Sequence, residues 1–259
     1  MMRSLKEYIQ LHEGILDSID KQMRTGDTAL KNEIKEFLKK TYNGHTTIKI
    51  SKKPNKDGVY EVWSERSISV KDKSITSLTN GNFIWVTVGG DFSCHGCRNL
   101  ESLEGSPKRV DGAFIIDYCA SIKTLEGMPE FIGGIFNCHK VTGIKNLKGI
   151  AQEILGGASF WGCHNLVSIK EAKHSEILRF FSVNYCIMLK SLEGCPKILS
   201  GTFSCDGCVS ITSLKGCPEH VEERFMCRGC GVDFTREDVE KVCRVTSNSI
   251  LTSGSPIVL

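Results

Sequence analysis

The chain has 259 residues, and its 33 Lys and Arg nearly balance its 30 Asp and Glu, leaving a formal net charge of +3. This small imbalance gives no electrostatic reason to expect nucleic acid or an anionic membrane as a partner. No apolar run approaches the ~18–20 residues that cross a bilayer, and the segment Met1–Glu13 lacks the apolar core of a secretory signal. We therefore predict a cytoplasmic protein that binds neither nucleic acid nor membrane.

The segment 1–66 is predicted to form a small α+β module. Apolar residues between 28 and 42 recur at three- and four-residue steps, which indicates an amphipathic helix, and Asp27 is a suitable N-cap. Residues 46–51 and 58–63 then carry alternating apolar side chains on either side of an Asp-Gly turn, a pattern typical of a β-hairpin. We expect this module to cap the array of repeats that follows it.

One sequence unit recurs seven times between Phe92 and Cys230. Each copy has two inward apolar slots, a third slot rich in cysteine, two Leu/Ile slots, a Gly-x-Pro turn and a closing Val, Ile or Leu. The first slot holds Phe92, Phe114, Phe136, Ala158, Phe181, Phe203 and Phe225; the second holds Cys94, Ile116, Cys138, Phe160, Val183, Cys205 and Cys227; the third holds Cys97, Cys119, Val141, Cys163, Cys186, Cys208 and Cys230. A period of about 22 residues indicates a solenoid, in which stacked units bury one continuous core.

The motif Phe-x-Cys-x-x-Cys-x-x-Leu resembles the leucine-rich repeat, whose core reads Leu-x-Leu-x-x-Asn/Cys-x-Leu. The Cys-rich form with Ser-Leu-Glu-Gly-x-Pro is similar to repeats in proteins of tailed phages and gut bacteria. This resemblance implies an α/β solenoid with about seven short parallel strands stacked in one sheet. The repeat differs from the family pattern because its last leucine is displaced to a second Leu-x-x-Leu step. We place the solenoid at 67–232, with 67–91 as a degenerate entry repeat.

Two parts of the array depart from the pattern. The fourth copy has Ala158, Glu171 and Lys173 at the Phe, Gly and Pro slots and one extra residue, so we expect a local irregularity there. The pattern ends at Asp233, and Thr235 and Asp238 are spaced as a capping box. Residues 233–259 are therefore predicted to form a short C-terminal capping helix and a loosely ordered tail.

The 13 cysteines raise the question of disulfides or metal. The odd count and the repeat-equivalent positions favour thiols that pack in the core. The pairs Cys205-x-x-Cys208 and Cys227-x-x-Cys230 also have zinc-ribbon spacing, so a zinc site is the less favoured alternative. Packing is preferred because the same slots accept Ile, Phe and Val, and because the period of the repeat already explains the spacer.

No pattern indicates catalysis. Adjacent pairs such as Cys94 and His95 form no dyad, because neighbouring residues of a strand point to opposite faces. The chain has no serine-triad spacing, phosphate loop or His-Glu-x-x-His motif. We therefore predict a protein without enzymatic activity and without a cofactor.

The outward-facing residues of the Phe-x-Cys strands are the predicted binding surface. They should form ladders of small polar side chains on a concave face, with an aromatic patch in the middle, and aromatic residues are enriched at interface hot spots. Within this patch Tyr118, Lys140 and Tyr185 fill positions that are glycine in other copies. The predicted partner-binding residues are His95, Asp117, Tyr118, His139, Trp161, Asn184, Tyr185, Asp206 and Arg228.

The favoured function is thus a protein–protein interaction module, phage-encoded and acting in the host cytoplasm, whose protein partner the sequence does not name. The alternative is a phage structural or internal-virion protein. The N-terminus resembles the head-targeting leaders of some tailed-phage proteins, which carry a Leu/Ile-x-Glu processing site. Leu11-His12-Glu13 matches that site, with Glu13 as the processing position, although an ordinary amphipathic helix explains the same residues. An enzyme with a fused repeat array is a third possibility.

Overall fold

The computed structural model describes residues 27–253, in which the chain winds through about nine turns of a β-solenoid with a spacing of roughly 22 residues. Its main elements, in chain order, are α1 (27–41), β1 (Tyr42–Asn43), β2 (Ile48–Ile50), β3 (Tyr60–Ser64), β4 (Ile68–Val70), β5 (Phe83–Val88), β6 (Phe92–Ser93), β7 (Arg109–Val110), β8 (Phe114–Ile115), β9 (Phe131–Ile132), β10 (Ile135–Asn137), β11 (Glu153–Ile154), β12 (Gly157–Ser159), β13 (Glu176–Ile177), β14 (Phe181–Ser182), β15 (Ile198–Leu199), β16 (Thr202–Ser204), β17 (His220–Val221), β18 (Arg224–Met226), α2 (Arg236–Glu240), β19 (Arg244–Val245) and β20 (Ser249–Leu251). Two short 3-10 turns cover His45–Thr47 and Lys170–His174. Among the described residues, no helix combines the length and apolar character needed to cross a membrane.

The strands form three sheets. Sheet A has the order β1-β4-β6-β8-β10-β12-β14-β16-β18-β20, sheet B the order β13-β11-β9-β7-β5-β3-β2, and sheet C the order β15-β17-β19. Pairing is parallel except for β1 with β4 and β2 with β3. Partners in the repeats lie one copy apart, so that Phe136 pairs with Phe114 on one side and Ala158 on the other.

The N-terminal module joins these sheets. In α1, Ile34 and Leu38 are fully or almost fully buried, as the helical spacing predicts. The predicted hairpin is the antiparallel pair β2–β3, and β3 then pairs in parallel with β5. The predicted entry repeat is also present, since β4 pairs in parallel with β6.

Stacked aromatic rings fill the core beneath sheet A. The rings of Phe92 and Phe114 are 6.0 Å apart, and those of Phe114 and Phe136 are 5.9 Å apart. At the fourth copy, where Ala158 takes the first slot, Phe160 of the second slot continues the column at 5.6 Å from Phe136. Each buried Phe contributes about 1.5–3 kcal/mol through the hydrophobic effect, and the swap of slots keeps the column filled.

The thiols pack in the core as predicted. All thirteen cysteines are free, and every one except Cys230 is buried. In the third slot the thiol also donates to a backbone oxygen of the preceding turn. These bonds run from Cys119 to Cys94 (3.1 Å), Cys163 to Cys138 (2.9 Å), Cys186 to Phe160 (3.2 Å), Cys208 to Val183 (3.0 Å) and Cys230 to Cys205 (3.4 Å). Cysteine suits this slot because it is a small apolar residue with a weak donor.

Three expectations about the architecture match the structure only roughly. The array has about nine turns where seven copies were expected, because the predicted entry repeat at 67–91 and the C-terminal segment each add a turn. Each copy contributes strands to two sheets, because its closing Val, Ile or Leu pairs with its counterpart in the next copy. Helices are few, so the fold is a β-solenoid more than an α/β solenoid. The tail is also ordered where it is described, since β20 pairs with β18.

Two local predictions at the C-terminal half are confirmed. Lys170–His174 forms a 3-10 turn where the fourth copy lacks its Gly-x-Pro sequence, and sheets B and C are separate at this point. The helix α2 begins with a capping box, in which the Thr235 hydroxyl accepts from the Asp238 N–H and the Asp238 carboxylate accepts from the Thr235 N–H.

Candidate functional site

The outward side of sheet A ends at a corner where the backbone enters the left-handed region. We call this position, one residue before each third-slot residue, the left-handed corner. Its residues and φ angles are Gly96 (73°), Tyr118 (62°), Lys140 (53°), Gly162 (68°), Tyr185 (58°), Gly207 (71°) and Gly229 (63°). Three of the seven corners therefore hold a large side chain in a conformation that costs roughly 1–2 kcal/mol for an ordinary residue.

The three large side chains meet on one surface together with Trp161. We call Tyr118, Lys140, Trp161 and Tyr185 the aromatic corner. The Lys140 ammonium lies 5.5 Å from the Tyr118 ring centre and 4.8 Å from the Trp161 ring centre, and the Trp161 and Tyr185 rings are 5.8 Å apart. The sequence groups these residues correctly, since they form one continuous row.

The aromatic corner is accessible to solvent. Tyr118 is 38% exposed and Tyr185 is 49% exposed, whereas Trp161 and Lys140 are partly buried by their neighbours. Tyr185 lies over Gly207 of the next turn, where a Cβ atom would come within 2.6 Å of its ring. Glycine at that corner thus leaves room for the ring, and the exposed row continues at the N-terminal side with His95, 5.3 Å from Tyr118.

Three of the predicted binding residues hold neighbouring turns together. Each offers a side-chain oxygen to the backbone N–H one copy later: Asp117 to His139 (2.8 Å), Asn184 to Asp206 (2.9 Å) and Asp206 to Arg228 (2.7 Å). Asp117 and Asp206 are largely buried as a result. These contacts support the fold itself, and Asp117 and Asp206 lie beneath the accessible surface while Asn184 is half-buried.

Arg228 continues the same row at the C-terminal end. Its Nε and Nη2 atoms donate to Oδ2 of Asp206 at 2.9 and 2.6 Å. This carboxylate raises the pKa of Arg228 through hydrogen bonding and charge attraction. The guanidinium is therefore held in place and only partly available to a partner.

His139 lies between Asp117 and Ser159 in an arrangement that resembles a serine triad. Its Nδ1 is 3.6 Å from Oδ2 of Asp117, and its Nε2 is 2.8 Å from Oγ of Ser159. Asn184 and Ser204 occupy the repeat positions that correspond to His139 and Ser159. Their side chains make the equivalent hydrogen bond at 2.5 Å, although neither residue could act as a general base. Since Ser159 is also buried, this hydrogen bond is best explained as another link between turns.

The four cysteines of the zinc alternative do not converge. The Cys208 thiol points to the preceding turn, where it donates to Val183, while the sulfurs of Cys205 and Cys230 are 3.9 Å apart. Within residues 27–253, no group of three or more His, Cys, Asp or Glu side chains could hold a metal ion. The zinc alternative therefore has no geometric support in this part of the chain.

The proposed processing position Glu13 lies outside the described residues. Comparisons with protein-family models, curated proteins and solved structures find no match to this chain.

Proposed function

We propose that the protein is a non-enzymatic interaction module that binds a protein partner through the aromatic corner. The observation that carries this proposal is the left-handed conformation of Tyr118, Lys140 and Tyr185 at positions where four other copies hold glycine. Glycine adopts this conformation without strain, so the fold does not need large side chains there. Backbone strain concentrated at one surface is typical of functional sites.

The chemistry of the aromatic corner fits a protein surface. Tyr118 and Tyr185 lie three turns apart, which is about 14 Å at the usual strand spacing of ~4.8 Å. Over this length the row offers three aromatic rings and one cation, and Tyr and Trp are among the residues that dominate the binding energy of protein interfaces. The rings contact one another and Lys140, so they are already ordered before a partner binds.

The test is affinity capture in reducing buffer with the wild type and a Trp161→Ala variant, read by mass spectrometry. We expect at least one protein that the wild type enriches and the variant loses, while far-UV circular dichroism shows that both remain folded. Ile198→Ala is the matched control, because Ile198 is an apolar residue, 64% exposed, at the edge of sheet C. Capture that survives Trp161→Ala, or that is lost equally with Ile198→Ala, would contradict the proposal.

The phage origin and the leucine-rich-repeat identity are part of this proposal. They are supported by the Cys-rich motif and by the turn sequence at Ser102–Pro107, Ser-Leu-Glu-Gly-Ser-Pro, and they would place the protein in the host cytoplasm.

The second candidate, a phage structural protein, is favoured by one observation. Within the described residues β20 is the last strand of sheet A, and an unpaired strand edge can accept another chain. Capture of only further copies of the chain would support this second candidate.

A further inference from the structure

Three pairs of cysteines share one register across neighbouring turns: Cys94 with Cys119, Cys138 with Cys163, and Cys205 with Cys230. In each pair the later thiol donates to the backbone oxygen of the earlier cysteine. The first two pairs are completely buried. The third differs because Cys230 is partly exposed, and its sulfur lies 3.9 Å from the sulfur of Cys205.

The exposure of Cys230 follows from its place in the array. It is the last third-slot residue of the seven copies, and among residues 27–253 no later third-slot loop stacks over it. The next turn of the described chain reaches this loop through the hydroxyl of Ser253, which accepts from the Gly229 N–H at 3.3 Å. Solvent can thus reach the Cys230 sulfur, while Cys205 lies directly behind it.

The two thiols also differ in acidity. A hydrogen bond from the Cys205 thiol lowers the pKa of Cys230, and the same bond together with burial raises the pKa of Cys205. The thiolate is the form that reacts with oxidants, and a neighbouring cysteine that gives up its proton during the attack can resolve the first oxidation product. The exposed sulfur is therefore the more reactive of the two.

We propose that Cys230 and Cys205 form a dithiol site that hydrogen peroxide oxidises, with Cys230 reacting first and Cys205 resolving. The Cys230 thiolate attacks one peroxide oxygen, which breaks the O–O bond and gives a sulfenic acid and hydroxide. The Cys205 sulfur then attacks the sulfenic sulfur, forming an S–S bond of about 2.05 Å and releasing water. Overall, two thiols and one peroxide give one disulfide and two waters, and an external thiol reverses the change.

The test uses the reduced full-length chain and a stoichiometric amount of hydrogen peroxide, followed by thiol blocking and trypsin digestion without reduction. Trypsin separates Cys230, in the peptide 229–236, from Cys227, while Cys205 lies in the peptide 198–215. We expect a link between these two peptides as the first oxidation product, at least tenfold ahead of any oxidation of Cys94 or Cys138. Fragmentation of the linked species assigns the bond to Cys205 and not to Cys208.

A Cys205→Ser variant removes the resolving thiol, so a sulfenic acid at Cys230 should accumulate and be trapped by dimedone. Cys119→Ser, in a buried pair of the same register, is the matched control and should leave the Cys205–Cys230 link unchanged. Oxidation of Cys230 in the wild type no faster than that of Cys94 would overturn the proposal, even where a variant folds poorly. So would oxidation of Cys230 to a sulfinic acid without a disulfide. This proposal is independent of partner binding.

Discussion

Five of the seven copies turn twice through positive φ, and the two corners accept different residues. At the corner before the closing strand the glycines adopt φ of 84° to 104°: Gly105, Gly127, Gly149, Gly194 and Gly216. At the left-handed corner φ lies between 53° and 73°, and three of seven residues are not glycine. The second range matches the small left-handed region open to ordinary residues, whereas the first lies beyond it.

Packing separates the two corners further. A Cβ atom at Gly127 would come within 2.6 Å of the backbone nitrogen of Glu104, so the preceding turn closes off this space. At Gly96 a Cβ atom would meet nothing within 4 Å. The left-handed corner is closed by no backbone of the preceding turn at Gly96 or Gly229, whereas at Gly162 and Gly207 the side chains of Lys140 and Tyr185 lie where a Cβ atom would be. This corner can therefore carry side chains, and it is where Tyr118, Lys140 and Tyr185 are found. The Gly-x-Pro corner serves the fold alone.

Substitution at the two corners should give the largest contrast. We expect Gly127→Ala to lower the free energy of unfolding by about 3–5 kcal/mol, because it combines an unfavourable φ with a backbone clash. Gly96→Ala should lower it by only about 1 kcal/mol, because its corner is open and its φ is accessible to alanine. Equilibrium denaturation in urea measures both values.

Equal losses of unfolding free energy in Gly127→Ala and Gly96→Ala would show that the two corners do not differ in packing. The argument for a solvent-facing functional corner would then lose its basis. Far-UV circular dichroism of both variants establishes that the values refer to the same folded state.

In six of the seven copies the residue after the left-handed corner is a third-slot cysteine, so the dependence of stability on alkaline pH tests how these buried thiols contribute to the fold. Burial raises the pKa of Cys119 and Cys208 to about 12, from an ordinary value of about 9. The unfolded chain therefore loses these protons first as the pH rises. Their contribution to stability is complete below pH 9 and falls by about 1.4 kcal/mol per pH unit for each thiol between pH 9 and 12.

The matched control for the pH dependence is a Cys119→Val and Cys208→Val double variant, since Val141 already occupies this slot in another copy. Its free energy of unfolding should fall less steeply between pH 9 and 10.5, by about 2.7 kcal/mol per pH unit relative to the wild type. Parallel curves for the two proteins would mean that the thiols ionise alike in the folded and unfolded chains.

The sequence predicts the main strands of sheet A, the helix and hairpin, and the irregular fourth copy, because each leaves a repeated or periodic pattern. The repeat strands of sheets B and C escape prediction because most of them are two residues long, too short to show alternation. The strand β20 escapes for another reason. Its Ile250 pairs with Phe225, and the insertion of α2 makes this step longer than the steps between the earlier copies, which hides the period.

The sequence pattern likewise predicts only part of the candidate site. Tyr118, Trp161 and Tyr185 could be grouped from their slots, since parallel stacking in register fixes which residues are neighbours. The structural roles of Asp117, Asn184 and Asp206 could not be predicted from the sequence, because a side-chain hydrogen bond to the next turn depends on atomic positions. The recurrence of Asp or Asn in one slot was the available signal, as these side chains readily accept from nearby backbone N–H groups.

The smallest expected effect concerns Lys140→Gly, and it tests whether the left-handed corner carries function or structure. Relief of about 1–2 kcal/mol of backbone strain should offset the lost contacts with Tyr118 and Trp161 and the entropy of glycine, so stability should change by less than about 1 kcal/mol. Trp161 lies one residue before Gly162 and does not have a positive φ. The substitution Trp161→Gly therefore relieves no backbone strain and should lower the free energy of unfolding by about 2 kcal/mol or more. Urea denaturation of both variants distinguishes the cases. If Lys140→Gly proves as costly as Trp161→Gly, the fold itself requires this side chain, and strain at the corner would then be no evidence for a partner.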